Sequence, residues 1–222
     1  MNSSSFIAQS ANCYAEGPPR QVPGFASLHR MMSLLLGERT PPNGRVLVLG
    51  AGGGLELKVL AEAHSGWSFD GVDPSADMLR LAEQTVGPYG ARMRLYQGCI
   101  DVAPEGPFDA ATCLLTLHFV PRDQRLPTLK QVRRRLKAGA PFIVAHISFP
   151  QTEPERTMWI ARHVAYSSTD PAHAESARQA ISTRLSIMAP EEDEAMLRDA
   201  GFSNVSLFYA GLSFRGWVTY AE

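Results

Sequence analysis

VSLFYAGLSFRGWVTYA, residues 205–221, decides the direction of the sheet. VSLFYA (205–210) and SFRGWVTYA (213–221) both read as strands, rich in aromatic and β-branched residues. Only Gly211 and Leu212 separate them. A parallel crossover needs a dozen or more residues, so the two strands must be antiparallel.

Working back from that pair, the chain alternates strand and helix. PEEDEAMLRDAGF (190–202) reads as a helix, with Pro190 in its first turn and Gly201 past its end. Upstream, RVLVL (45–49), FDGVD (69–73), MRLYQG (93–98), a segment within FDAATCLLTLHFV (108–120) and PFIVAHISF (141–149) read as five strands. The unbroken apolar run of 45–49 suits a strand buried on both faces. Helices LELKVLAEAH, one opening at Ser75 as its cap, and DQRLPTLKQVRRRLKAG fall between them. The pattern predicts an α/β Rossmann-like doubly wound sheet of seven strands, parallel except for an antiparallel last strand, with helices on both faces. It is read as a single domain: an N-terminal helical arm or lid over 1–40, a cofactor-binding half over 41–150, a helical insert over 151–188 with a polar joint at 167–171, and a C-terminal helix and strand pair over 189–222.

Gly50-Ala51-Gly52-Gly53-Gly54 lies between the first strand and the first helix of that alternation. Glycines there permit a sharp turn and close approach of a ligand to the backbone, and the helix N-terminus offers unpaired N–H groups. Asp73 ends the second strand, where a carboxylate can accept from both hydroxyls of a ribose. Strand, glycine loop, helix, strand and acid in that order predict an adenosine-containing cofactor, without choosing which.

The reversed final strand and the Gly50, Gly52, Gly54 spacing resemble the class I S-adenosylmethionine-dependent methyltransferases over about residues 40–222. RQVPGF (20–25), TLHFV (116–120) and SLFYAGLSFRGWVTY further resemble the carboxy-S-adenosylmethionine-dependent tRNA uridine methyltransferases. The resemblance implies S-adenosyl-L-methionine as cofactor, with carboxy-S-adenosyl-L-methionine as an alternative. It implies cofactor contacts from Phe25, Gly50, Ala51, Gly52, Gly54, Asp73, Pro74, Met78, Cys99, Ile100, Leu115 and Thr116. By spacing from Ala200-Gly201-Phe202, Arg178 falls on the arginine that holds the carboxylated cofactor's extra carboxylate. Three positions depart from the family: Val48 replaces an acid two residues before the loop, Cys99 stands where an adenine-binding aspartate is usual, and Phe25 where the tRNA enzymes have a tyrosine.

Methyl transfer from a sulfonium is an in-line displacement that asks mainly for positioning, so no fixed triad is expected. His118, near the C-terminal end of the fourth strand, is the candidate catalytic group, either taking a proton or serving as an ordinary rim histidine. Trp159, His163 and Tyr166, at helical spacing in the insert, either line an acceptor pocket or pack the helix on the body. Arg178 either clamps a carboxylate or is solvated. Lys130, Arg133, Arg134, Arg135 and Lys137 either meet RNA phosphate or form the solvated face of a helix.

The 222 residues carry a formal charge of -1, so no bulk field gathers nucleic acid or anionic membrane. That favours a small-molecule acceptor over tRNA. Three cysteines are too few for a disulfide framework or a zinc site, so no metal is expected and a reducing, cytoplasmic location fits best. No apolar run approaches a membrane span or signal peptide. A homodimer is compatible with the sequence. A nicotinamide-dependent oxidoreductase and a non-catalytic cofactor-binding protein are the competing readings.

Overall fold

A computed structural model of the protein describes residues 17–167 and 171–222. Seven strands form one sheet: β1 (Arg45–Leu49), β2 (Ser68–Asp73), β3 (Met93–Gln97), β4 (Ala110–Leu114), β5 (Pro141–Ile147), β6 (Phe202–Gly211) and β7 (Phe214–Ala221). Their order is β3-β2-β1-β4-β5-β7-β6. β1 through β5 pair in parallel, and β7 runs antiparallel to both β5 and β6. The short link after residue 210 therefore dictated the strand direction, as the spacing required.

The central strands are buried along nearly their whole length, because helices cover both faces. One face carries α1 (Phe25–Gly37), α2 (Leu55–Ala63), α3 (Ala76–Val86) and α5 (Glu155–Ser167), through Leu28, Met32, Leu57, Leu60, Leu79 and Ile160. The other carries α4 (Arg122–Arg134) and α7 (Pro190–Asp199), through Leu129, Val132 and Leu197 against Phe142 and Trp217. Ser75 caps α3 as expected, its Oγ accepting from the Met78 N–H. The 151–188 segment forms α5 and a second helix, α6 (Pro171–Arg184). Of the expected arm, residues 1–16 lie outside the described residues, as do 168–170 of the joint in the insert.

α4 ends at Arg134, short of the expected Gly139. The basic run at its end is built into the fold. Arg133 donates to the Gly201 carbonyl, Arg134 pairs with Glu105, Lys137 pairs with Asp109, and Arg135 is fully buried among the carbonyls of Ala103, Pro104 and Gln131. Arg135 departs from the solvated face expected of this run, while Lys130, Arg134 and Lys137 remain exposed as that reading has it.

Candidate functional site

The C-terminal ends of β1, β2 and β4 open on a cavity of about 560 Å³. Phe25, Gly50, Ala51, Gly52, Asp73, Pro74, Met78, Leu115, Thr116 and His118 all line it, so the structure brings these candidate residues together. This is where an open parallel sheet splays its loops and leaves a crevice.

The glycine loop is held tightly. The N–H groups of Gly50 and Ala51 both donate to the Val72 carbonyl, at 2.8 and 3.0 Å. Gly50, Gly52 and Gly54 all have positive φ, at 79°, 50° and 85°, a region closed to most side chains. A Cβ on Gly50 would stand 2.0 Å from Thr116 Oγ1. Gly54 does not reach the cavity: its missing side chain lets α2 approach α3, since a Cβ there would lie 2.8 Å from Ala82 Cα.

Asp73 does more than the sequence reading required. Its Oδ2 accepts from the Gly52 N–H and its Oδ1 from the Ser75 N–H, each at 2.9 Å. The carboxylate thus ties the loop after β1 to the turn after β2, and each oxygen keeps a second lone pair for a ligand hydroxyl. Across the cavity, Leu115 is held at φ 54° with its N–H donating to the Ala145 carbonyl at 2.6 Å. A branched residue in that region marks a position over-determined by its surroundings.

His118 is buried, and its Nδ1 accepts from the Ile147 N–H at 3.4 Å. With that lone pair engaged, the neutral ring carries its proton on Nε2. Burial first, then the neighbouring His146, Arg125 and His163, hold its pKa well below the ordinary 6.5. The ring therefore offers the site a hydrogen-bond donor, and protonating it is costly.

His29 and His163 also line the cavity and are likewise kept neutral by burial. In the unfolded chain these rings take protons first as pH drops, so the stability they contribute is full above about pH 6.5 and lost as pH falls. Melting temperature is expected to drop between about pH 7 and pH 5.5, and His118→Gln to flatten that drop, by up to about 1.4 kcal/mol per pH unit. Thermal melts followed by circular dichroism check this; equal slopes in both proteins would contradict it.

Glu56 was missed by the sequence reading. It sits in the first turn of α2, lines the cavity and is 6% exposed. Burial pushes its carboxyl up to about 7, against a smaller opposing effect of the Thr112 hydroxyl. Its sign is opposite to the histidines': its stability share is present below the ordinary 4.5 and is lost as pH rises through about 7. Its signal in the sequence is an acid two residues after the glycine loop. His29, one helical turn after Phe25, could have been found from that spacing.

Besides Gly54, five expected site residues do not line the cavity. Cys99 is exposed on the turn after β3, and Ile100 points into the core on the α4 side of the sheet. Trp159 lies on Phe149, with ring centroids 6.4 Å apart, and between the guanidinium groups of Arg162 and Arg215. Tyr166 is 45% exposed. Arg178 is 47% exposed and pairs with Glu175 one turn away. Trp159 thus packs its helix on the body, the second of its two readings, while Tyr166 and Arg178 face outward. Among the described residues no group of three or more His, Cys, Asp or Glu could hold a metal ion, and no helix is long and apolar enough to cross a membrane.

Residues 47–142 match a family model described as a methyltransferase domain. Among curated proteins, the chain is 24% identical over 204 residues to a carboxy-S-adenosyl-L-methionine synthase of Campylobacter fetus, covering 90% of this chain and 87% of the relative. A synthase of the same name from Pseudomonas aeruginosa is 25% identical over 211 residues, covering 90% and 85%. These relatives are named for making the carboxylated cofactor, whereas the sequence resemblance was to enzymes that use it.

Among solved structures, an O-methyltransferase family protein from Burkholderia thailandensis superposes with TM-score 0.66 at 12% identity, over 89% of this chain and 56% of that one. PigF with SAH gives 0.65 at 17%, over 96% and 58%. The chain thus spans less than two thirds of those structures' chains, and at these identities the likeness is one of fold. Residues 47–142 thus match a methyltransferase domain, and the chain around them has the fold of these solved methyltransferases.

Proposed function

We propose that the protein methylates a small, largely apolar acceptor with plain S-adenosyl-L-methionine as donor. The observation that carries this reading is the charge of the cavity. Its charged lining residues are Asp73 and Glu56, with no lysine or arginine among the described residues that line it. Residues 1–16 and 168–170 contain no lysine or arginine either. S-adenosylmethionine brings a sulfonium and an ammonium, which two carboxylates complement. A carboxylated cofactor, or an RNA backbone, brings further negative charge with no cation here to meet it.

In this reading Asp73 takes the ribose, and Gly50, Ala51 and Gly52 give the backbone surface under the cofactor. Pro74, Met78, Leu115, Thr116 and Phe25 close around it. Gly54 acts indirectly, by bringing α2 close. Cys99 and Ile100 flank the adenine end only if the turn after β3 moves inward. When bound, the cofactor supplies a methyl group already activated on sulfur. The chain's task is then to exclude water and aim the acceptor, with the His118 Nε2–H positioning an acceptor oxygen or nitrogen. Apolar Phe119, Leu185 and Phe214 complete that side of the cavity. Trp159, Tyr166 and Arg178 are left as outer residues of the insert. Arg178→Ala is accordingly expected to change cofactor affinity less than twofold by calorimetry.

The second reading follows from the relatives: that the chain makes carboxy-S-adenosylmethionine. It is favoured by their coverage of the chain and disfavoured by the missing cation. Incubation with methyl-tritiated S-adenosylmethionine, against a small-metabolite extract and against total tRNA, tests the proposal. Label entering the extract is expected, and label entering tRNA would overturn it. Carboxylated cofactor found by mass spectrometry after incubation with the extract would favour the second reading.

A further inference from the structure

The departure at Val48 leaves the loop without the acid that the resemblance leads one to expect, and the structure brings another carboxyl onto the same face of the sheet. β1 and β4 lie side by side with Val48 opposite Thr112, so the two side chains leave the same face of the sheet. Both are fully buried. Glu56 comes down onto that face from α2, close enough to the Thr112 hydroxyl for it to favour the ionised carboxyl. Yet neither Thr112 Oγ1 nor Glu56 Oε1 has a hydrogen-bond partner.

An unpaired carboxyl oxygen in a buried position is costly to keep. Glu56 also borders the cavity, where the other carboxylate, Asp73, already serves the Gly52 and Ser75 amides. Of the two carboxyl groups that line the cavity, Glu56 is the one with an oxygen left without a partner among the described residues.

We propose that Glu56 replaces the acid missing at position 48 and holds the ammonium of the cofactor's amino-acid end. This rests on the reading that the cavity takes S-adenosylmethionine. An ammonium offers three donors and a full charge, which suits a buried carboxylate beside a hydroxyl. The helix N-terminus above it further favours the ionised form. Below about pH 7 burial keeps a proton on the carboxyl of the empty site; above it the charge is bare until a cation arrives. The carboxyl is in this sense a positioning group: it fixes one end of the donor while the methyl points elsewhere.

The test is calorimetry on the full chain with S-adenosylmethionine and with 5′-methylthioadenosine, which lacks the amino-acid end. Glu56→Gln is expected to weaken S-adenosylmethionine about tenfold to a hundredfold and to leave methylthioadenosine within about twofold. Its melting temperature without ligand at pH 8 is expected to equal or exceed that of the wild type. Adding Val48→Asp to Glu56→Gln is expected to restore part of the lost affinity. Equal weakening of both ligands, or unchanged S-adenosylmethionine binding, would overturn the proposal. So would a double variant that folds and regains nothing. If the wild type binds neither ligand, the reading beneath fails, and this inference with it.

Discussion

Gly50→Val is expected to abolish S-adenosylmethionine binding. Two physical costs coincide at this position. Its φ of 79° lies in the left-handed region, where a β-branched side chain costs roughly 1–2 kcal/mol or more. Its Cβ would also stand 2.0 Å from Thr116 Oγ1 and 2.5 Å from Thr116 Cγ2. Thr116 cannot simply swing aside, because its hydroxyl donates to the Leu114 carbonyl at 2.8 Å. Either the loop or the end of β4 must move, and both are walls of the cavity.

Gly139→Ala is the control. It shares the strain, with φ 74°, but a Cβ there meets nothing within 4 Å. It should cost about 1 kcal/mol of stability and leave binding unchanged. Equilibrium titration and melts of both variants check this. Retained affinity in Gly50→Val would show that the loop does not face the cofactor.

Asp73→Ala is the second large effect. The carboxylate accepts from two backbone amides, and hydrogen bonds to a charged group contribute about 1.5–3 kcal/mol each. Removing it loosens the Gly52 and Ser75 backbone and deletes the acceptor proposed for the ribose. A loss of about a hundredfold to a thousandfold in cofactor affinity is expected. Asp73→Asn keeps one oxygen acceptor and should fall between alanine and wild type. If Asp73→Ala bound the cofactor as well as wild type, the ribose placement would be wrong.

The sheet was legible because its signals are local. Two strands joined by Gly211 and Leu212 can only be antiparallel, and RVLVL can only be a strand covered on both faces. The glycine loop and Asp73 were legible for the same reason, since each sits at a strand end whose place the alternation fixes. The acceptor side was not. Trp159, His163 and Tyr166 share a helical stripe, yet only His163 reaches the cavity. Which side of that stripe faces inward depends on the tilt of α5 on the sheet, and no local spacing encodes tilt. Arg178 takes the solvated one of its two readings, since counting back from Ala200 gives no direction.

Glu56 shows the converse. Val48 was read as a loss because a missing acid is visible in the sequence, while its substitute comes from another element and is visible only once β1, β4 and α2 are packed together. Burial is also why it counts. A carboxyl raised to about 7 stores on the order of 3 kcal/mol against ionisation relative to its ordinary value, which a bound cation can relieve. Within the basic run at the end of α4, Arg133 and Arg135 carry the same lesson, since they tie down neighbouring loops.

The central claim is that a cavity charged only by carboxylates takes plain S-adenosylmethionine. It is tested most directly by titrating the purified wild-type chain with S-adenosylmethionine and with carboxy-S-adenosylmethionine side by side. The account predicts that the plain cofactor binds at least about tenfold more tightly, because the added carboxylate meets no lysine or arginine. Tighter binding of the carboxylated form would contradict it.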